Sequence, residues 1–279
     1  MTVLYVVSTP LGNLDDITFR AVNVLREVGA IASEDTRTTG RLLAHFEIKT
    51  RLLSYHEHSK PHQIKRILDL LTEHDVALVS EAGTPLLSDP GYKLVQAAIQ
   101  HGFDVVAIPG ASALLTALPV SGLPTDQFLF VGFLPRKSTA RQTLFEQLRS
   151  QLATLIFYES PHRVQASLVD MAAVFGNDRS IAVCRELTKL HEEIWRGTLA
   201  QAVDAWAERT PRGEFTLVVA GAPEAENWSQ EAVEQAIVDA IAGGTRRKDA
   251  VKLVTQQSGW LKRDVYALAE RMKKEHLAT

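Results

Sequence analysis

Through residues 3–118, short unbroken apolar runs alternate with longer stretches whose apolar residues recur at helical spacing, and few folds accommodate that rhythm. Residues 3–7, 30–32, 76–79 and 105–108 read as buried strands. Helices are expected around Ile17, Val24, Leu25 and Val28, over 41–46, along the Ile64, Ile67, Leu68, Leu71 stripe, over 92–101 and over 112–118. Strands with continuous apolar runs that alternate with helices predict an α/β fold, its parallel sheet covered on both faces.

Leu123-Pro124-Thr125-Asp126 reads as a linker, and a second α/β pattern follows. Its strands are expected at 128–133, 154–158, 181–184 and 215–220, its helices at 141–148, 163–175 and 199–207, with antiparallel pairing near 193–196. After a soft boundary at 222–227 the chain changes character. Helical stretches at 229–241, 248–256 and 262–273, the last two separated by Ser258-Gly259, resemble a helix-turn-helix unit. Three domains are therefore predicted: α/β over 1–122, α/β over 123–224, and a small helical domain over 225–279.

Charge separates the last of these from the rest. From Thr245 onward nine basic residues face four acidic ones, a local +5 in a chain of formal charge −3, leaving −8 on the other 244 positions. Global attraction to nucleic acid is excluded, whereas a basic tail headed by Arg246, Arg247 and Lys248 is suited to an anionic partner. The single cysteine, Cys184, excludes an internal disulfide and a multi-cysteine zinc site, and fits a reducing, cytoplasmic setting. Residues 105–125 carry no charge, but Pro109, Gly110, Pro119, Gly122 and Pro124 interrupt them, so no membrane span is predicted. The start of the chain lacks the basic residues of a signal peptide. No metal site is expected, since His56-Glu57-His58 cannot face one way as a complete triad on a helix or a strand.

Three strand-to-helix junctions are free of charge: Ser8-Thr9-Pro10-Leu11-Gly12-Asn13, Ala82-Gly83-Thr84-Pro85-Leu86-Leu87 and Ile108-Pro109-Gly110-Ala111-Ser112-Ala113. Ligands of open parallel sheets sit beyond the carboxyl ends of the strands, where these junctions fall. No P-loop and no G-x-G-x-x-G follows the first strand, which argues against nucleoside triphosphates and dinucleotides. Walls of this kind suit a largely apolar ligand read by backbone groups and hydroxyls, and S-adenosylmethionine fits. Taken singly, each junction is also what a tight α/β turn looks like. Charged clusters mark other strand ends: Glu34-Asp35-Thr36-Arg37, Tyr158-Glu159-Ser160-Pro161-His162-Arg163 and Arg185-Glu186-Leu187-Thr188-Lys189. Helix caps and surface ion pairs account for each one separately. A Ser160–His162 hydrolase is disfavoured by the intervening Pro161 and by the absence of a G-x-S-x-G elbow.

Thr9-Pro10-Leu11-Gly12-Asn13-Leu14-Asp15-Asp16-Ile17-Thr18, Glu34-Asp35-Thr36-Arg37, Ser80-Glu81-Ala82-Gly83-Thr84-Pro85, Ser88-Asp89-Pro90-Gly91, Gly132-Phe133-Leu134-Pro135, Phe157-Tyr158-Glu159-Ser160 and Arg185-Glu186-Leu187-Thr188-Lys189 occur in order across the first two predicted domains. On these stretches the chain resembles the ribosomal RNA small-subunit methyltransferase I family, cytidine 2′-O-methyltransferases of the tetrapyrrole-methylase superfamily. Glu81, where that family usually has Asp, and Ala111, where it usually has Pro, depart from its pattern.

The resemblance implies two α/β domains with S-adenosylmethionine in the cleft between them, a homodimer, and small-subunit ribosomal RNA or the 30S subunit as partner. It places Leu11, Gly83, Thr84, Leu87, Pro109, Gly110, Ser112 and Ala113 on the donor, with Tyr158 and Thr216 closing the other side. Asp35, Glu159 and Glu186 are candidate proton acceptors, joined by Lys189 if burial lowers its pKa. Arg37, Arg163 and Arg185 are expected to hold RNA phosphates, and Arg246, Arg247 and Lys248 to grip the backbone. Two alternatives stay open: a small-molecule, tetrapyrrole-like methyltransferase of the same fold, and a non-catalytic RNA-binding protein. The modified nucleotide, and the choice between free RNA and assembled subunit, are not specified by these residues.

Overall fold

The computed structural model describes residues 2–56, 61–223 and 228–276. Glu57 and His58, the boundary expected at 224–225, and the side chains of Lys273, Lys274 and Glu275 lie outside what is described. The chain forms two compact units, Met1–Gly221 and Ala222–Thr279.

The first unit holds two five-stranded sheets. In the first, β1 (Val3–Val7), β2 (Ala30–Ser33), β3 (Leu52–Ser54), β4 (Val76–Val79) and β5 (Asp104–Ile108) run in the order β3-β2-β4-β1-β5. All four pairings are parallel, as the sequence predicts. Alternate residues of one strand serve opposite faces. Val76 and Leu78 pack with α3 (Pro61–Leu71) and α4 (Tyr92–Gln100), while Ala77 and Val79 pack with α1 (Phe19–Glu27) and α2 (Thr36–His45). Thr18 caps α1 by accepting from Ala21 N, and Asp35 caps α2 by accepting from Arg37 N and Thr38 N. Strand β3 escapes sequence reading because three residues are too few to show a period.

In the second sheet β6 (Phe128–Phe133), β7 (Thr154–Glu159), β8 (Ser180–Arg185), β9 (Glu193–Thr198) and β10 (Phe215–Val219) run in the order β6-β7-β10-β8-β9. Only β6 and β7 pair in parallel; the other three pairings are antiparallel, so that pattern extends well beyond the stretch around 193–196. One face carries α6 (Ser138–Leu148), α7 (Val164–Phe175) and α8 (Leu199–Ala207) around Phe145, Phe157, Met171 and Trp206. The other is covered by α5 (Ala113–Ser121), whose Leu114, Ala117 and Leu118 meet Ile156, Ala182, Cys184 and Val218. Helix α5 runs past Leu118 with Pro119 inside it and ends at Gly122 in the left-handed conformation (φ 77°). Following β5 of one sheet and packing on the other, it brings the two sheets together.

The second unit consists of α9 (Gln230–Ala242), α10 (Arg247–Ser258) and α11 (Lys262–His276) around Val233, Ile237, Val251, Val254, Val265 and Leu268. Gly259 (φ 71°) ends α10, and the Trp260 indole donates to Trp228 O at 2.7 Å, fixing the turn read from Ser258-Gly259. Among the described residues no helix is long and apolar enough to cross a membrane.

Candidate active site

Strands β4, β1 and β5 are neighbours in the sheet, so the three uncharged loops that follow them emerge side by side. They are stitched together by name. Thr9 N donates to Gly83 O and Gly83 N to Thr9 O, both at 2.9 Å. The Ser8 and Thr84 hydroxyls meet at 3.0 Å, and Thr84 Oγ1 donates to Ala111 O at 3.1 Å. Gly83 sits at φ +78°, and a Cβ there would lie 3.1 Å from Leu11 Cδ2. A Cβ on Gly110 would come within 2.9 Å of Ser8 Cβ, so this glycine lets the third loop close on the first.

The second sheet closes the space from the far side. Leu114 N donates to the Tyr158 hydroxyl at 3.2 Å. Gly132, in a β6 bulge at φ +82°, leaves room for Ser88 Oγ, which would stand 2.8 Å from a Cβ. The Lys189 stem crosses Gly12 where any side chain would collide with it. Between them lies a cavity of about 520 Å³. Its wall includes Leu11, Gly83, Thr84 and Leu87 from the first two loops, Ser112 and Ala113 from the third, and Tyr158 and Thr216 opposite. Pro109 and Gly110 do not form that wall; they make the turn behind it, against Ser8.

The charged candidates divide by what already holds them. Asp35 caps α2 and pairs with Arg37 at 3.1 Å; the Arg37 guanidinium and backbone hold its carboxyl at about 2, too acidic to draw a proton from a hydroxyl. Arg37 itself is 88% exposed. Glu159 reaches the cavity wall but is saturated. Its Oε1 takes Arg163 at 2.6 Å and Ser160 N at 2.7 Å, and its Oε2 takes Ser167 Oγ at 2.6 Å. Arg163, expected to hold phosphate, also donates to Ser160 Oγ and Leu134 O, which commits it to the β7–α7 corner. Arg185 donates to Arg212 O and pairs with Glu193.

Glu186 and Lys189 form a clasp with Glu214. Lys189 Nζ lies 3.0 Å from Glu186 Oε1 and 3.1 Å from Glu214 Oε2, and Glu186 Oε1 also accepts from Glu214 N. Burial works against both charges, but these contacts outweigh it, so Glu186 is held below and Lys189 above its ordinary pKa. Lys189 therefore lines the cavity as an ammonium; the condition under which it would accept a proton, a pKa lowered by burial, is not met.

The wall also carries residues to which the sequence reading gave no site role: Arg41, Asp89, Phe133 and Glu214, together with Glu81, noted there only as a departure from the family pattern. Asp89 is the most informative. Burial first, then the charge of Glu34, with Glu81 and Glu214 adding to it, pushes its carboxyl up to about 7 against the opposing hydrogen bond from Ser80. Ser88-Asp89-Pro90-Gly91 enters the sequence reading only as one stretch of the family resemblance, with no role for Asp89, yet the backbone of its loop is costly, with Leu86 at φ 73° and Ser88 at φ 70°. That strain is invisible in the sequence. Thr9 Oγ1, buried in a residue of the cavity wall, has no hydrogen-bond partner among the described residues. A buried hydroxyl left without a partner calls for an explanation, and a ligand seated in the adjoining cavity is one. Among the described residues no group of three or more His, Cys, Asp or Glu is arranged to hold a metal ion.

The sequence model of the tetrapyrrole (corrin/porphyrin) methylases matches residues 3–203. The chain is 51% identical over 269 residues to a ribosomal RNA small subunit methyltransferase I of Halalkalibacterium halodurans, covering 94% of this chain and 93% of that protein. It is 46% identical over 272 residues to the protein of the same name from Synechocystis sp., covering 96% and 98%. Among solved structures it is similar in fold to a diphthine synthase, with a TM-score of 0.62 at 14% identity over 79% of this chain and 90% of that one.

Proposed function

The chain belongs to the tetrapyrrole methylase family and, within it, to the ribosomal RNA small subunit methyltransferase I proteins; on that premise we propose that it transfers a methyl group from S-adenosylmethionine to the 2′-oxygen of a cytidine in small-subunit ribosomal RNA. The observation that carries this reading is the convergence of the three uncharged loops on one cavity of about 520 Å³ whose wall includes a threonine with a hydroxyl unpartnered among the described residues. The donor suits that wall. Leu11, Leu87 and Ala113 offer apolar contact, and Thr9, Thr84 and Ser112 offer hydroxyls. When bound, the donor supplies an already activated methyl carbon.

What remains for the protein is alignment and removal of a weakly acidic proton. Positioning is worth roughly 7–11 kcal/mol in favourable intramolecular systems. Tyr158, fixed by Leu114 N, and Lys189, fixed by Glu186 and Glu214, are rigid groups on the side opposite the donor loops, suited to orienting a nucleotide. In this reading Arg37 and Arg41 meet RNA phosphates near the cavity, and Arg246, Arg247 and Lys248 add sequence-independent grip. The same reading divides the chain functionally at 1–122, 123–224 and 225–279 and has it act as a cytoplasmic homodimer, the latter tested by light scattering.

Transfer of a labelled methyl group to small ribosomal subunits and to free ribosomal RNA, followed by mapping of the labelled nucleotide, tests the proposal. Label on a cytidine ribose supports it. Transfer only to a tetrapyrrole would assign the small-molecule alternative, and absence of donor binding would leave RNA binding alone.

A further inference from the structure

Building on the methyl-transfer reading, we infer that Asp89, on the turn between β4 and α4, takes the proton from the attacking ribose hydroxyl. Geometry separates it from the other carboxylates at the site: Glu81, also on the wall, is exposed, whereas Asp89 is half-buried. Glu159 is bonded at both oxygens, Glu186 and Glu214 clasp Lys189, and Asp35 caps α2 and pairs with Arg37. Asp89 lines the cavity and has one side-chain hydrogen bond among those that set its titration, from Ser80. Its place is also built at a cost. The loop that carries it holds two non-glycine residues, Leu86 and Ser88, in the left-handed region, and Ser88 is seated against the Gly132 bulge of the opposite sheet. Strain of that kind persists where surrounding contacts hold a side chain to one position.

The charges around it tune the group for the task. Burial raises its pKa most, and the acids Glu34 from the β2 end, Glu81 from the β4 end and Glu214 from the approach to β10 raise it further; the Tyr158 hydroxyl, pushed up to about 12 chiefly by burial, also feels the Asp89 charge. The resulting value of about 7 makes Asp89 a far better proton acceptor than an ordinary carboxylate and leaves it ionised above neutrality. In the balanced step the ribose oxygen bonds to the methyl carbon as that carbon's bond to sulfur breaks. The pair of that bond stays on sulfur, and the hydroxyl proton passes to an Asp89 carboxylate oxygen, which releases it to solvent.

Asp89→Asn tests this against wild type, with donor affinity by calorimetry, single-turnover transfer to small subunits from pH 5.5 to 9, and unfolding of the ligand-free protein at several pH values. In wild type the rate should climb with pH and level off above about 7. The variant should be slowed roughly 100-fold or more and lose that dependence, with donor affinity within about threefold. Because the folded-state value is raised, the stability associated with Asp89 is present below the unfolded carboxylate pKa and lost as pH rises through about 7, so the variant should gain stability at pH 8 and not at pH 4. Transfer by the variant within threefold of wild type, or a rate loss matched by lost donor affinity, overturns the inference while leaving the methyltransferase reading intact. A wild type that does not bind the donor overturns both. Should the variant fail to fold, carbon-13 NMR of wild-type aspartate carboxyls decides: one group titrating near 7 supports the inference, and none there overturns it.

Discussion

Two residues of the cavity wall carry buried oxygens that call for opposite treatment. Thr9 Oγ1 has no partner among the described residues, so the folded protein bears its desolvation without return. Thr9→Val should leave the unfolding free energy unchanged or raise it by about 1 kcal/mol, while weakening S-adenosylmethionine binding roughly tenfold by calorimetry. Glu159 is the reverse case, every oxygen used and one of its partners Arg163. Glu159→Gln strands that guanidinium and should cost about 3 kcal/mol in denaturant unfolding. Both residues stood in motifs visible in the sequence, but their roles did not. Glu159 in Tyr158-Glu159-Ser160 reads equally as base or anchor until Ser167, eight residues on, is brought to its second oxygen. Asp89 was hidden by Pro90 and Gly91, which advertise a turn and say nothing of the acids from three other segments gathered around it.

At the scale of elements, the loops were legible because continuous apolar runs mark strand ends, and the absence of charge beyond them needs no partner to be seen. Which loops would meet was not, since that depends on β4, β1 and β5 being neighbours, an order no local pattern encodes. The second sheet was less readable for a related reason: antiparallel β7, β10 and β8 are buried on both faces, so they show the continuous apolar runs usual in parallel strands. Helix α10 opens with Arg246 as its N-cap and with Arg247 and Lys248, cations where the helix dipole prefers acids. A packing role alone does not favour that choice. Changing all three to Ala should leave α10 folded, weaken RNA binding, and reduce the slope of log affinity against log salt by roughly 2, read by filter binding across a salt series. An unchanged slope would assign the stretch to another role.

For the whole molecule, sheet one supplies the three neutral corners, sheet two supplies Tyr158, Thr216 and the Lys189 clasp, and α5 joins them by leaving β5 and packing on the second sheet. The central claim is that the resulting cavity is where the methyl donor binds. Gly83 is its most exacting backbone position, at φ +78° with Leu11 3.1 Å from where a Cβ would stand. Calorimetric titration of S-adenosylmethionine into wild type and Gly83→Val, with circular dichroism to verify folding, tests that claim most directly. One donor per chain in wild type, with affinity reduced more than tenfold in a folded variant, is the predicted result; equal affinity in the two proteins would contradict it.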